Sequence, residues 1–288
     1  MTETKTLHRP DAELTYDIDG PLPRTDGGRP LLMVGQPMDS SGFATLTGLF
    51  PERTVVRYDP RGLGRSTRSD STQRQDPAVQ AADLHALIEE LGAGPVDVFA
   101  SSGGAVTALA LVAAHPDDVV TLVAHEPPLI DVLPDAEQAR RAWLGVQEAY
   151  AAKGFGAGMA GFIQMTSWSG EFTDAYFAQP DPDPAMFGMP TEDDGARNDP
   201  LLSGVAEAVV EHRLDVAALT SAPTRVAIAV GEESIDTFTG RTSVHAARLL
   251  GQEATVFPSH HGGFMGDEHG YAGQPEAFAA KLRDVLDG

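Results

Sequence analysis

The stretch Val96-Asp97-Val98-Phe99-Ala100-Ser101-Ser102-Gly103-Gly104-Ala105 constrains the chain more than any other. An apolar, strand-like segment passes through a turn of small residues into the helix-like run from Ala105 to Ala114. A serine at such a strand-to-helix turn is held in strained backbone geometry with its hydroxyl projecting, so the residues two before and two after it must be small. Centred on Ser102, those flanks are Ala100 and Gly104; centred on Ser101, the earlier flank would be the bulky Phe99. Ser102 is therefore the candidate nucleophile. The plainer alternative is an ordinary βα turn that contains serines.

The surrounding pattern favours the first reading. The loosely alternating 12–18 and short, largely apolar runs at 30–34, 54–58, 119–124, 224–230 and 254–257 read as strands. Helical spacing at 43–49, 78–92, 241–250 and 275–286 alternates with them, which implies a mostly parallel sheet covered by helices on both faces. Between residues 127 and 222 the alternation stops. Helical segments at 135–152 and 204–219 are separated there by Gly, Pro and Asp clusters, and Asp135 is a natural N-cap for the first. Residues 1–126 and 223–288 are thus expected to form an α/β core, with 127–222 a helical cap inserted over it. A chain of 288 residues is long enough for this arrangement.

The net charge of −22 argues against nucleic acid and anionic membrane surfaces as partners. The absence of cysteine excludes disulfides and thiol chemistry. With no apolar signal-like run at the N-terminus and no stretch near the roughly 18 apolar residues of a membrane span, a cytoplasmic protein is expected. A homo-oligomer is compatible with the chain.

Four motifs in order resemble the α/β-hydrolase superfamily, and the resemblance covers nearly the whole length. The first is the turn at Ser102. The second is Val34-Gly35-Gln36-Pro37, where the family often has His-Gly-x-Pro. The resemblance implies that the backbone amides of Gln36 and Gly103 form the oxyanion hole, since acyl transfer builds negative charge on a carbonyl oxygen. The third, Asp59-Pro60-Arg61-Gly62-Leu63-Gly64-Arg65-Ser66, is similar to the family's turn after its fourth strand and is expected to be structural. The fourth is Phe257-Pro258-Ser259-His260-His261-Gly262-Gly263-Phe264. A serine needs a base with a pKa near neutrality, and the family pattern favours His261 over its neighbour His260. A zinc set of His260, His261 and His269 is disfavoured, because adjacent histidines rarely converge on one ion.

The third triad member is an open choice. The family commonly places an aspartate after its seventh strand in a Gly-x-x-Asp pattern, but here Gly231-Glu232-Glu233-Ser234 puts Ser234 in that position. Haloalkane dehalogenases and fungal zearalenone lactonases instead carry a glutamate after the sixth strand. This chain resembles them in Glu126, 24 residues beyond Ser102. Asp236 and Glu233 are the alternatives. Gly156-Ala157-Gly158-Met159-Ala160-Gly161 matches a dinucleotide pattern but follows a helix-like rather than a strand-like segment, so no cofactor is expected. The aromatic and methionine residues of 127–222 either form the cap's own core or line an apolar pocket above Ser102. Met38, Met165, Trp168 and Met189 are the expected substrate contacts. Together these features imply a cofactor-free, metal-free serine hydrolase of a small-molecule ester or lactone, with a bulky macrocyclic lactone of zearalenone type favoured. A general carboxylesterase, a cofactor-free haloperoxidase or perhydrolase, and a small-molecule receptor on the same fold are the competing readings.

Overall fold

In the computed structural model, which describes residues 2–24, 27–70, 72–268 and 272–288, nine strands form one sheet. They are β1 (Thr2–Arg9), β2 (Ala12–Asp19), β3 (Leu31–Val34), β4 (Val55–Tyr58), β5 (Thr67–Arg68), β6 (Val96–Ser101), β7 (Val119–His125), β8 (Arg225–Gly231) and β9 (Thr255–Phe257). The order is β1-β2-β4-β3-β6-β7-β8-β9, with β5 paired to β2. From β4 across to β9 every pairing is parallel, whereas β1, β2 and β5 pair antiparallel. β1 is almost wholly exposed and polar, so it carries no buried alternation by which it could be read from sequence.

Strand side chains alternate between two cores. Leu31, Met33, Phe99 and Val123 face one side, against Leu46 of helix α1 (Ala44–Gly48) and Phe278 and Leu282 of α10 (Pro275–Asp287). Leu32, Val34, Val98 and Ala100 face the other. There they meet α2 (Pro77–Leu91), α3 (Gly103–Ala114) and α9 (Phe238–Leu249). α3 is buried on every side from Gly103 to Val112, as expected of a helix with no polar face. That burial fixes its N-terminus, and with it Ser102, at the carboxyl ends of β3, β6 and β7.

Between β7 and β8 the chain forms the cap helices α4 (Ala136–Lys153), α5 (Phe155–Ser167), α6 (Asp174–Phe177), α7 (Glu207–Val210) and α8 (Val216–Ser221). Their own core gathers Trp143, Val146, Tyr150, Met165 and Phe172. Three details differ from expectation. The segment 204–219 is two short helices, because the chain breaks after α7 and Asp215 caps α8 by accepting from the Ala218 amide at 2.9 Å. α5, unexpected in so glycine-rich a stretch, contains the dinucleotide-like pattern. Its glycines admit close neighbours: a Cβ on Gly158 would lie 2.6 Å from the Tyr150 Cβ, and one on Gly156 would strike the Pro190 carbonyl. Asp135 does sit at the N-cap of α4, but makes no capping bond. Its carboxylate instead accepts from the Phe172 amide at 2.7 Å and pairs with Arg241 of α9, which also donates to the Gly170 carbonyl at 2.7 Å. This buried pair ties the cap to the core. Among the described residues no helix is long and apolar enough to cross a membrane.

Candidate active site

Ser102 joins β6 to α3 with φ 58° and ψ −131°, a conformation that costs a non-glycine residue roughly 1–3 kcal/mol. The small flank is obligatory, since a Cβ on Gly104 would lie 2.4 Å from the Val34 carbonyl oxygen. Four described non-glycine residues have positive φ: Gln73, Ser102, Glu126 and Ser259. Three of these belong to the turns that present Ser102, Glu126 and His261. Backbone strain is therefore concentrated where the sequence placed its catalytic candidates.

Glu126 follows β7 directly and is fully buried. Its Oε1 accepts from the Gly231 amide at 2.9 Å, and its Oε2 accepts from the Thr239 hydroxyl at 2.6 Å. The His261 Nδ1 lies 2.6 Å from the same Oε2. Burial opposes ionisation of this carboxyl, but the His261 charge and hydrogen bond, then His125 and Thr239, hold it well below the usual carboxylate range. An ionised Glu126 accepts from Nδ1–H and so leaves Nε2 of His261 as the basic nitrogen. Gly231 must lack a side chain, because a Cβ there would lie 2.6 Å from the Ser259 carbonyl oxygen and 3.1 Å from Glu126 Oε1.

His260 is arranged differently. Its Nδ1 accepts from the Gly262 amide at 3.0 Å and its Nε2 lies 3.2 Å from the Ala272 carbonyl, so both ring nitrogens are engaged. Glu233 lines the cavity above Ser102, and Asp236 does not; neither is the carboxylate bonded to His261. The third histidine weighed for zinc, His269, lies outside the described residues. The three-ligand cluster His85, His115 and Asp118 lies at the other end of β7. Its imidazoles are stacked at 3.8 Å with planes 10° apart, so their in-plane lone pairs run side by side rather than converging on one ion.

Gln36 and Gly103 come together beside Ser102, with one qualification of geometry: the Gly103 amide donates to the Gln36 carbonyl at 3.2 Å. An incoming oxyanion must share or replace that long bond. Next to Glu126, His125 is wholly buried among Phe99, Phe257, Phe264 and Phe278. Burial pushes its imidazole down to about 4. Its Nδ1 lies 3.2 Å from the hydroxyl of Ser101, which is itself buried and turned away from the cavity.

The cavity encloses about 720 Å3 and is lined by Ser102, His261, Gln36 and Gly103 at its base. The four expected substrate contacts are corrected here, because none lines it. Met38 packs beneath the oxyanion loop against Gly35 and Gly42. Met165 lies fully within the cap core. Trp168 donates its indole N–H to the Glu171 carbonyl at 2.9 Å and packs on Tyr176, and Met189 bonds back to the Pro184 carbonyl at 3.0 Å. The wall is made instead by Trp143, Phe162, Ile163, Leu201, Val209 and Val210. Helical phase explains the exchange: Phe162, Ile163, Thr166 and Ser167 share one face of α5, while Met165 is on the other. Gly231 and Thr239, which bond to Glu126, were not singled out by sequence reasoning. Their only signal was position, at the end of β8 and the start of α9 on either side of Ser234.

Comparison with known proteins agrees with the architecture. The profile of the α/β hydrolase fold family matches residues 38–178. The chain is 26% identical over 291 residues to the uncharacterized hydrolase YraK of Bacillus subtilis (strain 168), covering 98% of this chain and 95% of that protein. A thermophilic esterase from Thermogutta terrifontis superposes with a TM-score of 0.63 at 21% identity, over 100% of this chain and 98% of the other. The enol-lactonase from Burkholderia xenovorans LB400 gives a TM-score of 0.61 at 17% identity, over 96% and 97% of the two chains. From its strand order to the helices inserted after β7, this chain has the α/β-hydrolase fold.

Proposed function

We propose that this chain is a serine hydrolase of carboxylic esters, working through Ser102, His261 and Glu126. The observation that carries the reading is the 2.6 Å bond between His261 Nδ1 and buried Glu126, on the same cavity as the strained Ser102. His261 Nε2 takes the Ser102 proton as the hydroxyl attacks the ester carbonyl, and the oxyanion forms against the Gln36 and Gly103 amides. Collapse of the tetrahedral adduct breaks the ester C–O bond, with His261 returning its proton to the leaving alcohol. Water then attacks the acyl-serine by the same route in reverse. Residues 127–222 act as the cap that walls the cavity.

The general carboxylesterase reading needs nothing further. A cavity of about 720 Å3 also favours a second reading, a bulky lactone whose alcohol stays tethered while water attacks. Multiple turnover of p-nitrophenyl esters by the native chain, lost in Ser102→Ala, tests the main reading and separates it from a receptor. Ring opening of a macrocyclic aromatic lactone of zearalenone type, followed by chromatography beside p-nitrophenyl acetate, tests the second. Brisk acetate cleavage with no ring opening would leave the esterase alone.

A further inference from the structure

The chemistry at Ser102 gives the cavity two ends. His261 must hand its proton to the departing oxygen, so the alcohol half of the substrate lies on the His261 side. The oxyanion points to Gln36 and Gly103, and the acyl chain takes the remaining direction, away from His261. The wall beside Gly103 is apolar: Val209 and Val210 are both buried, and a Cβ on Gly103 would sit 3.2 Å from Val209 Cγ1.

The His261 side has the opposite character. Glu233 is exposed, lines the cavity, and is held there by its amide, which donates to the Ser259 carbonyl at 3.1 Å, two residues before His261. Two hydroxyls beside it have already committed their protons. Thr237 donates to the Ser234 carbonyl at 2.9 Å, and Thr239 donates to Glu126 at 2.6 Å. A hydroxyl that has given its proton within the protein can only accept from a ligand. None of the described residues lining the cavity is Lys or Arg.

From this asymmetry we infer that the physiological leaving group is a polar alcohol bearing hydroxyl donors or a positive charge, attached to an apolar acyl group, and that Glu233 sets this preference. The inference rests on the ester-hydrolase reading and names its substrate class. An anionic alcohol would meet the Glu233 carboxylate and two hydroxyls whose protons are committed, with no Lys or Arg among the described lining residues to pair it. A plain alkyl alcohol would offer those acceptors no donor.

Four phenylacetate esters test this, differing only in the alcohol: glycerol, choline, its neutral isostere 3,3-dimethylbutanol, and 3-hydroxypropanoate. In the native enzyme, kcat/KM for the glycerol and choline esters should exceed that for the dimethylbutyl ester by about five- to tenfold. The 3-hydroxypropanoate ester should fall below it by about the same factor. In Glu233→Gln, the choline-to-dimethylbutyl ratio should drop toward one and the penalty on the anionic ester should shrink. Adding 0.5 M salt should compress the charge-dependent ratios of the native enzyme, since Glu233 is exposed. Equal rates for the four alcohols, or ratios that Glu233→Gln leaves unmoved, would overturn the inference while leaving the hydrolase reading intact. Failure of the native enzyme to turn over any of the four above the Ser102→Ala background would overturn the hydrolase reading, and this inference with it.

Discussion

The ends of the neighbouring strands β7 and β8 carry carboxylates of opposite fate. After β7, Glu126 is buried, strained and met by three donors, from Gly231, Thr239 and His261. After β8, Glu233 and Asp236 are exposed, and Ser234 holds the position where an acid would have been expected. The loop after β8 has nonetheless kept a part in the site. Two of Glu126's donors, the Gly231 amide and the Thr239 hydroxyl, come from the end of β8 and the start of α9. A carboxylate can orient an imidazole from either strand end, provided its other lone pairs are satisfied and its charge is held. The region that lacks the carboxylate bonded to His261 supplies two of the donors that meet its neighbour Glu126.

Losing the proposed nucleophile should have the largest effect. Ser102→Ala should cut kcat for a p-nitrophenyl ester by at least about 10³-fold, whereas Ser101→Ala should retain much of the activity, because Ser101 is buried beside His125. Steady-state rates on purified, folded variants decide this, and comparable losses in the two would break the assignment. The contrast between the two strand ends comes next. Glu126→Gln should lower kcat by roughly 10²–10⁴ through the wrong imidazole tautomer. Asp236→Asn, outside the cavity, should change it by less than about tenfold. If Asp236→Asn proved the crippling change, the comparison would be inverted.

A third test concerns the neutral imidazole beside the acid. The folded pKa of His125 is about 4, below the roughly 6.5 of an unfolded chain. Its contribution to stability is therefore complete above about pH 6.5 and is lost as pH falls toward 4. Urea unfolding at pH 7 and pH 4.5 should show about 2–3 kcal/mol lost from this group. His125→Phe should be less stable at pH 7 but should lose less over the same interval; an unchanged slope would contradict the buried neutral state. The smallest effect should come from Thr239→Val, which keeps the side-chain shape and removes one donor to Glu126. A fall in kcat of about tenfold with little change in KM would sharpen the view that the β8 end serves the acid. A change confined to KM would place Thr239 with the substrate instead.

Much of this molecule follows from local sequence. The short apolar runs, the small flanks of Ser102 and the break in strand–helix alternation at 127 each have a local cause, whether burial, a close backbone approach or the loss of a period. Those features determined the fold class, the candidate nucleophile and the insertion. The polar strand β1 and the glycine-rich helix α5 escaped because their local preferences run against what they become. Packing against β2 and against α4 overrides those preferences. The carboxylate and imidazole that pair, which the family resemblance favoured as Glu126 and His261 but local pattern did not decide, and the cavity wall are another matter. Glu126 and Asp236 are both carboxylates at the end of a strand, and His260 and His261 are adjacent imidazoles. Nothing in one dimension states which of them finds a donor, which engages both ring nitrogens elsewhere, or whether a methionine on α5 faces the cavity or the cap core. Hydrogen bonds and burial are relations between residues over a hundred positions apart, as Glu126 and His261 are, and only the tertiary structure brings such residues within 2.6 Å.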